Sequence, residues 1–132
     1  MPITFHHRPD RNAVFATATG IIGRDDILEY FQAKVRARIL EEPELFDARQ
    51  ICLDLAVDDL AIIAEAVSGQ IKTLPRTAIV SDSAIVLCMA ESFRNLMELD
   101  SGTFRAFGSL REAEAWLFRE EHPAVGDFAE RV

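Results

Sequence analysis

Apolar and polar residues alternate over Ile3–His7, the period-two pattern of a half-buried strand. Arg8-Pro9-Asp10-Arg11-Asn12 carries turn chemistry. Ala13–Thr19, rich in Thr with Val14 and Phe15, reads as a second strand ending at Gly20, and the short connection predicts an antiparallel hairpin. From Gly23 the period changes. Asp25 is the expected N-cap of a first helix. Ile27, Phe31, Val35 and Ile39, with Leu28 and Leu40 beside them, form its apolar stripe, and Glu41-Glu42-Pro43 stops it.

Gln50–Leu55 is a nearly continuous apolar run, which suits a strand buried on both faces. Asp58-Asp59 begins a second helix with the stripe Leu60, Ile63, Ala64, Val67 and Ile71. Thr77–Val80 is a further buried strand, and Ser81-Asp82-Ser83 caps a third helix that runs to about Leu99. Thr103–Phe107 alternates again and predicts a last strand. Ser109 and Glu112 have capping-box spacing before a last helix that sets Leu110, Ala113 and Leu117 on one face with Trp116 beside them. Glu121-His122-Pro123 ends that helix, and a loose tail from about residue 121 is expected. The order β-β-α-β-α-β-α-β-α predicts an α/β fold: a mixed sheet of about five strands with helices packed on it, its later strands parallel and joined by right-handed crossovers. Neither a repeat nor a linker interrupts the pattern, so residues 1–132 are expected to form a single domain.

Composition narrows the function. Of 132 residues 49% are apolar, too many for a disordered chain, and 14 Lys and Arg against 22 Asp and Glu give a formal net charge of −8. That balance excludes a general nucleic-acid binder and docking on an anionic membrane, both of which need clustered cations. The longest apolar run, Ala84–Ala90, is far shorter than the roughly 20 residues a bilayer span requires. Met1–Arg8 lacks the apolar segment of a secretory signal, so a cytoplasmic location is expected. Cys52 and Cys88 have neither CxxC spacing nor a neighbouring His, and are expected to be small buried hydrophobes rather than metal ligands or a disulfide. His6 and His7 point to opposite faces of a strand, and His122 lies in the tail.

Four stretches give the chain a family resemblance that extends over nearly its whole length. They are Arg76-Thr77-Ala78-Ile79-Val80-Ser81-Asp82, Ala90-Glu91-Ser92-Phe93, Phe104-Arg105-Ala106-Phe107 and Glu112-Ala113-Glu114-Ala115-Trp116-Leu117. With them the chain resembles the SpoIIAA-like proteins of the STAS-like and CRAL-TRIO-like superfamily. The resemblance implies a small α/β scaffold put to regulatory use. In the true anti-anti-sigma factors of that superfamily a Ser or Thr is phosphorylated just after the third strand, at a helix start. The matching segment is Leu53–Asp59: Asp54 matches the acidic strand-end residue, the serine is missing, and Asp58-Asp59 stand at the helix start. Asp58 is therefore either an N-cap or a singly charged imitation of phosphoserine, while Ser81 or Ser83 could take the place of the missing serine.

Two candidate sites follow. If the parallel strands end together, Asp54, Asp58, Asp59, Ser81, Asp82 and Ser83 meet at one strand-end edge, where open α/β sheets bind ligands. They would form a cation or polar-ligand site, or act as independent helix caps. Carboxylates at every helix start and the lack of a glycine-rich loop argue against phosphate and nucleotide. No nucleophile has a base beside it, so neither an enzyme, a cofactor nor a metal is expected. The second candidate is the third helix, apolar all round its first half and again at later positions. Its surplus must be covered by the chain itself, a second copy or a ligand, which marks Ile85, Leu87, Met89, Phe93, Leu96 and Met97 as an interface or apolar pocket. The expected function is a non-enzymatic regulatory or protein-interaction module that binds a protein partner or itself as a homodimer. The alternative is a carrier of a small apolar or lipid-like ligand.

Overall fold

A computed structural model describes residues 2–119 of the chain. The elements follow the predicted order: β1 (Ile3–Arg8), β2 (Ala13–Gly23), α1 (Arg24–Ala37), β3 (Glu44–Asp54), α2 (Val57–Ser68), β4 (Thr77–Val80), α3 (Ala84–Leu96), β5 (Phe104–Phe107) and α4 (Leu110–Leu117). The expected tail from residue 121, with His122, lies outside the described residues. The sheet order is β1-β2-β3-β4-β5. β1 runs antiparallel to β2, and every later pair is parallel.

Each parallel strand takes the next place in the sheet. Three successive right-handed crossovers therefore put α1, α2 and α3 on the same face, and α4 covers the other. Residue parity agrees. Leu45, Ala78 and Val80 bury against Ala113, Trp116 and Leu117 of α4. Ile3, Ala16, Ala18 and Ile22 bury with Tyr30 of α1, and Phe31, Ile63, Val67 and Ile71 form the layer between α1 and α2. Arg76 fastens α4 to the sheet: its guanidinium donates to the Trp116 carbonyl at 2.6 Å and lies 4.4 Å from the indole ring centre.

β3 is longer than its apolar run suggested and starts at Glu44. An irregularity divides it: Thr17 pairs with Asp47 but Thr19 with Gln50, so β3 carries one extra residue near Ala48–Arg49. The Asp47 carboxylate accepts the Arg49 backbone N–H at 3.2 Å and its guanidinium at 2.9 and 2.8 Å, which satisfies groups the ladder releases. The bulge also reverses parity. Before it Glu44, Phe46 and Ala48 face the three helices; after it Ile51 and Leu53 do. The second half of β3 is therefore covered on one face only, and the expectation of burial on both does not hold. Cys52 is exposed there, and so is Cys88 on α3, contrary to the expected burial. β2 likewise continues past Gly20, whose φ of 84° is a conformation other residues adopt only under strain.

The helix starts differ in detail from the sequence reading. Gly23, not Asp25, is the N-cap of α1, and its N–H donates to Asp26 at 2.9 Å. Ala56 precedes α2 and donates to Asp59 at 2.9 Å, so Asp59 rather than Asp58 does the capping work. Ser83 and Ser109 accept from Val86 N and Glu112 N, at 3.4 and 3.2 Å, as caps of α3 and α4. The first helix ends at Ala37 with Arg38 in the left-handed region, which places Ile39 and Leu40 after the helix.

Candidate functional site

Three polar side chains lie inside the layer between the sheet and α1. The stripe of α1 that carries Ile27 and Phe31 also carries Tyr30 and Lys34, one turn apart. Glu44, the first residue of β3, points at them because its parity is that of Phe46. The Lys34 ammonium donates to Glu44 Oε1 at 2.6 Å and sits 4.8 Å from the centre of the Tyr30 ring. The Tyr30 hydroxyl donates to Glu44 Oε2 through a short hydrogen bond. The rings of Phe5 and Phe46 close around Tyr30, edge-on at 5.6 and 5.4 Å. All three polar residues are buried, Lys34 with 7% of its surface exposed and Tyr30 with 4%. Burial, and after it the Glu44 carboxylate, hold the Tyr30 phenol well above its ordinary value of 10.0, so it stays a donor.

This cluster forms the polar end of a cavity of about 190 Å³ between the sheet and α1–α3. The remaining wall is almost wholly apolar. Ile51 and Leu53 supply it from β3, Ile63 and Val67 from α2, Met89 and Phe93 from α3. An apolar cavity with a few convergent polar groups is the usual form of a small-molecule site. One positive and one negative charge, hydrogen-bonded together, leave the polar end neutral.

The predicted strand-end set does not come together. β4 ends at Val80, opposite Asp47, whereas β3 continues to Asp54 paired with β2 alone. Seven further residues at about 3.3 Å each put Asp54 roughly 20 Å beyond the end of β4. Asp54, Asp58 and Asp59 belong to the far end of that two-stranded arm, where Arg24 reaches Asp59 at 3.4 Å. Ser81, Asp82 and Ser83 lie at the near level, beside the Asp47–Arg49 pair. Ser81 is fully buried and its hydroxyl accepts Ser83 N at 3.0 Å, so a phosphate at Ser81 would need the strand end to open.

The third-helix set separates by face. Met89 and Phe93 line the cavity, and Met97 joins the α1–α2 layer, its sulfur 3.6 Å from the Ser68 hydroxyl. Leu87 faces a groove of about 350 Å³ beside β5, shared with Arg94, Phe104 and Arg105. Ile85 and Leu96 face outward with 63% and 47% of their surfaces exposed, and Val86 is the helix's one buried residue. The sequence reading missed Tyr30, Lys34 and Glu44. The available signal was Lys34, seven residues after Ile27 on an apolar stripe, where a charge is out of place unless a partner meets it.

Among the described residues no helix is long and apolar enough to cross a membrane. No family model matches the sequence, and no curated protein matches it. Solved structures do. An uncharacterised protein of the DUF3478 family with a SpoIIAA-like fold, from Shewanella loihica PV-4, superimposes with a TM-score of 0.60 at 16% identity, over 87% of this chain and 91% of its own. The anti-sigma factor antagonist SpoIIAA in its unphosphorylated form gives 0.47 at 8% identity, over 83% and 91%. The five-stranded mixed sheet, three helices on one face and one on the other, is thus a SpoIIAA-like fold.

Proposed function

We propose that the chain is a non-enzymatic regulatory domain that acts by binding protein, and that it pairs with a second copy of itself through the outward face of α3. The exposure of Ile85 and Leu96 carries this reading. They stand eleven residues apart, three helical turns, on one line of a helix whose inner face already covers the sheet. Fully burying an aliphatic side chain of this size is worth about 1.5–3 kcal/mol, and an unpaired monomer forgoes roughly half of that at each position. Size-exclusion chromatography with light scattering tests it. A dimer at micromolar concentration that becomes a folded monomer on Ile85→Glu is the expected outcome, and a strict monomer in the unaltered protein defeats the reading.

A second reading, carriage of a small apolar ligand, is favoured by the cavity beneath α1–α3. Its volume of about 190 Å³ falls short of the roughly 300 Å³ at which pockets for larger ligands begin, so a lipid-sized occupant is a poor fit. A dry cavity of about 150 Å³ takes benzene, and a molecule of that size or slightly larger is the ligand this reading allows. Native mass spectrometry of freshly purified protein should show such a molecule retained.

A further inference from the structure

We propose that the cavity binds a small, uncharged carbonyl compound, its oxygen accepting a hydrogen bond from the Lys34 ammonium and its apolar body lying against Ile63, Val67 and Phe93. This inference rests on the small-ligand reading and specifies the chemistry of that site. Lysine has three N–H donors. In Lys34 one is met by Glu44 Oε1 and the ammonium lies 4.8 Å from the centre of the Tyr30 ring, which leaves it capacity to donate further. Lys34 is 93% buried at the wall of an otherwise apolar space. An occupant of that space that brings an acceptor gains a hydrogen bond to a charged donor, which an apolar occupant lacks.

The charges decide which acceptor. Glu44 already neutralises Lys34 and is held by Tyr30 on its other oxygen. A carboxylate ligand would add an uncompensated negative charge beside Glu44 in an apolar layer, and an amine would add an unmatched positive one beside Lys34. A neutral carbonyl satisfies the donor and changes no charge. Size sets the rest of the molecule: one ring, or a chain of comparable bulk.

Three probes of matched size separate the possibilities: acetophenone, ethylbenzene and benzoate, each titrated into the full-length protein and followed by amide chemical shifts. Acetophenone should bind at least about tenfold more tightly than either other probe, a difference within the range of one hydrogen bond to a charged donor. Lys34→Met should bring acetophenone and ethylbenzene to equal affinity. Where the lone Glu44 charge unfolds that variant, Lys34→Met combined with Glu44→Gln makes the same test. Equal binding of acetophenone and ethylbenzene by the unaltered protein would overturn the carbonyl assignment and leave the apolar cavity standing. Tightest binding of benzoate would overturn it in favour of an anion site. Failure of all three probes to bind would remove the small-ligand reading along with it.

Discussion

Tyr30 is the chain's one tyrosine, so its ionisation can be followed by the near-ultraviolet absorbance of tyrosinate without assignment. Its hydroxyl is buried and donates to Glu44, and forming a phenolate there would set two negative charges side by side in an apolar layer. Burial comes first among the causes that raise its pKa well above 10.0, and the Glu44 carboxylate second. The consequence for stability has a definite sign. Below about pH 10 the phenol is protonated in both folded and unfolded chains and contributes no pH dependence. Above it the unfolded chain loses the proton and the folded chain keeps it, so stability falls as pH rises towards the folded-state pKa. For one proton the slope approaches about 1.4 kcal/mol per pH unit between the unfolded and folded pKa values. Lysines also titrate in this range, so the measurement is a difference. Urea unfolding, read by fluorescence of the single Trp116, is compared for the unaltered protein and Tyr30→Phe between about pH 8 and pH 11. The variant should be less stable by about 1–3 kcal/mol at pH 8, where Glu44 loses a donor, and should close part of that gap as pH rises. Tyrosinate absorbance in the folded protein with a midpoint at the ordinary value of 10 would refute the buried Tyr30–Glu44 contact.

Two other consequences concern buried charge and exposed sulfur. Lys34→Met leaves Glu44 buried without its partner and should cost about 3–5 kcal/mol. Adding Glu44→Gln should recover part of that loss, so a double-mutant cycle with additivity within about 0.5 kcal/mol would mean that the pair is not coupled. Cys52 and Cys88 should both react with a disulfide reagent such as DTNB in the folded protein, without denaturant; protection of either thiol would restore the burial that the apolar run around it suggested.

How much of this was legible is best judged from particular residues. The caps at Ser83 and Ser109 were, because a hydroxyl three residues before a helical N–H is a local arrangement that sequence spacing specifies. The cap of α2 was displaced by one residue: the bond to Asp59 depends on where the chain leaves β3, which is a tertiary matter. The strand-end residues lie at different levels of the sheet for a related reason. Sequence gives the residue at which a strand ends but not its height in the sheet, and β3 overshoots β4 by seven residues. Cys52 looked buried inside an apolar run, yet the bulge near Ala48–Arg49 turned Ile51 and Leu53 inward and Cys52 outward, because strand parity changes with one inserted residue.

By itself the sequence determined the order of elements, the hairpin followed by crossovers, and the faces that α2 and α4 bury. These follow from hydrophobic period and turn chemistry, which act over a few residues. Its net charge of −8 was fixed at the same level, since charge is a sum that folding does not alter. Tertiary structure decided what met what. It brought Glu44 to Tyr30 and Lys34, across fourteen and ten residues of chain and a helix–sheet boundary, and set them at the end of an apolar cavity. It also assigned each apolar residue of α3 to a cavity, a core or the surface. A residue's partners depend on register and layer packing, which only the closed fold fixes, and the candidate site is built from those partners.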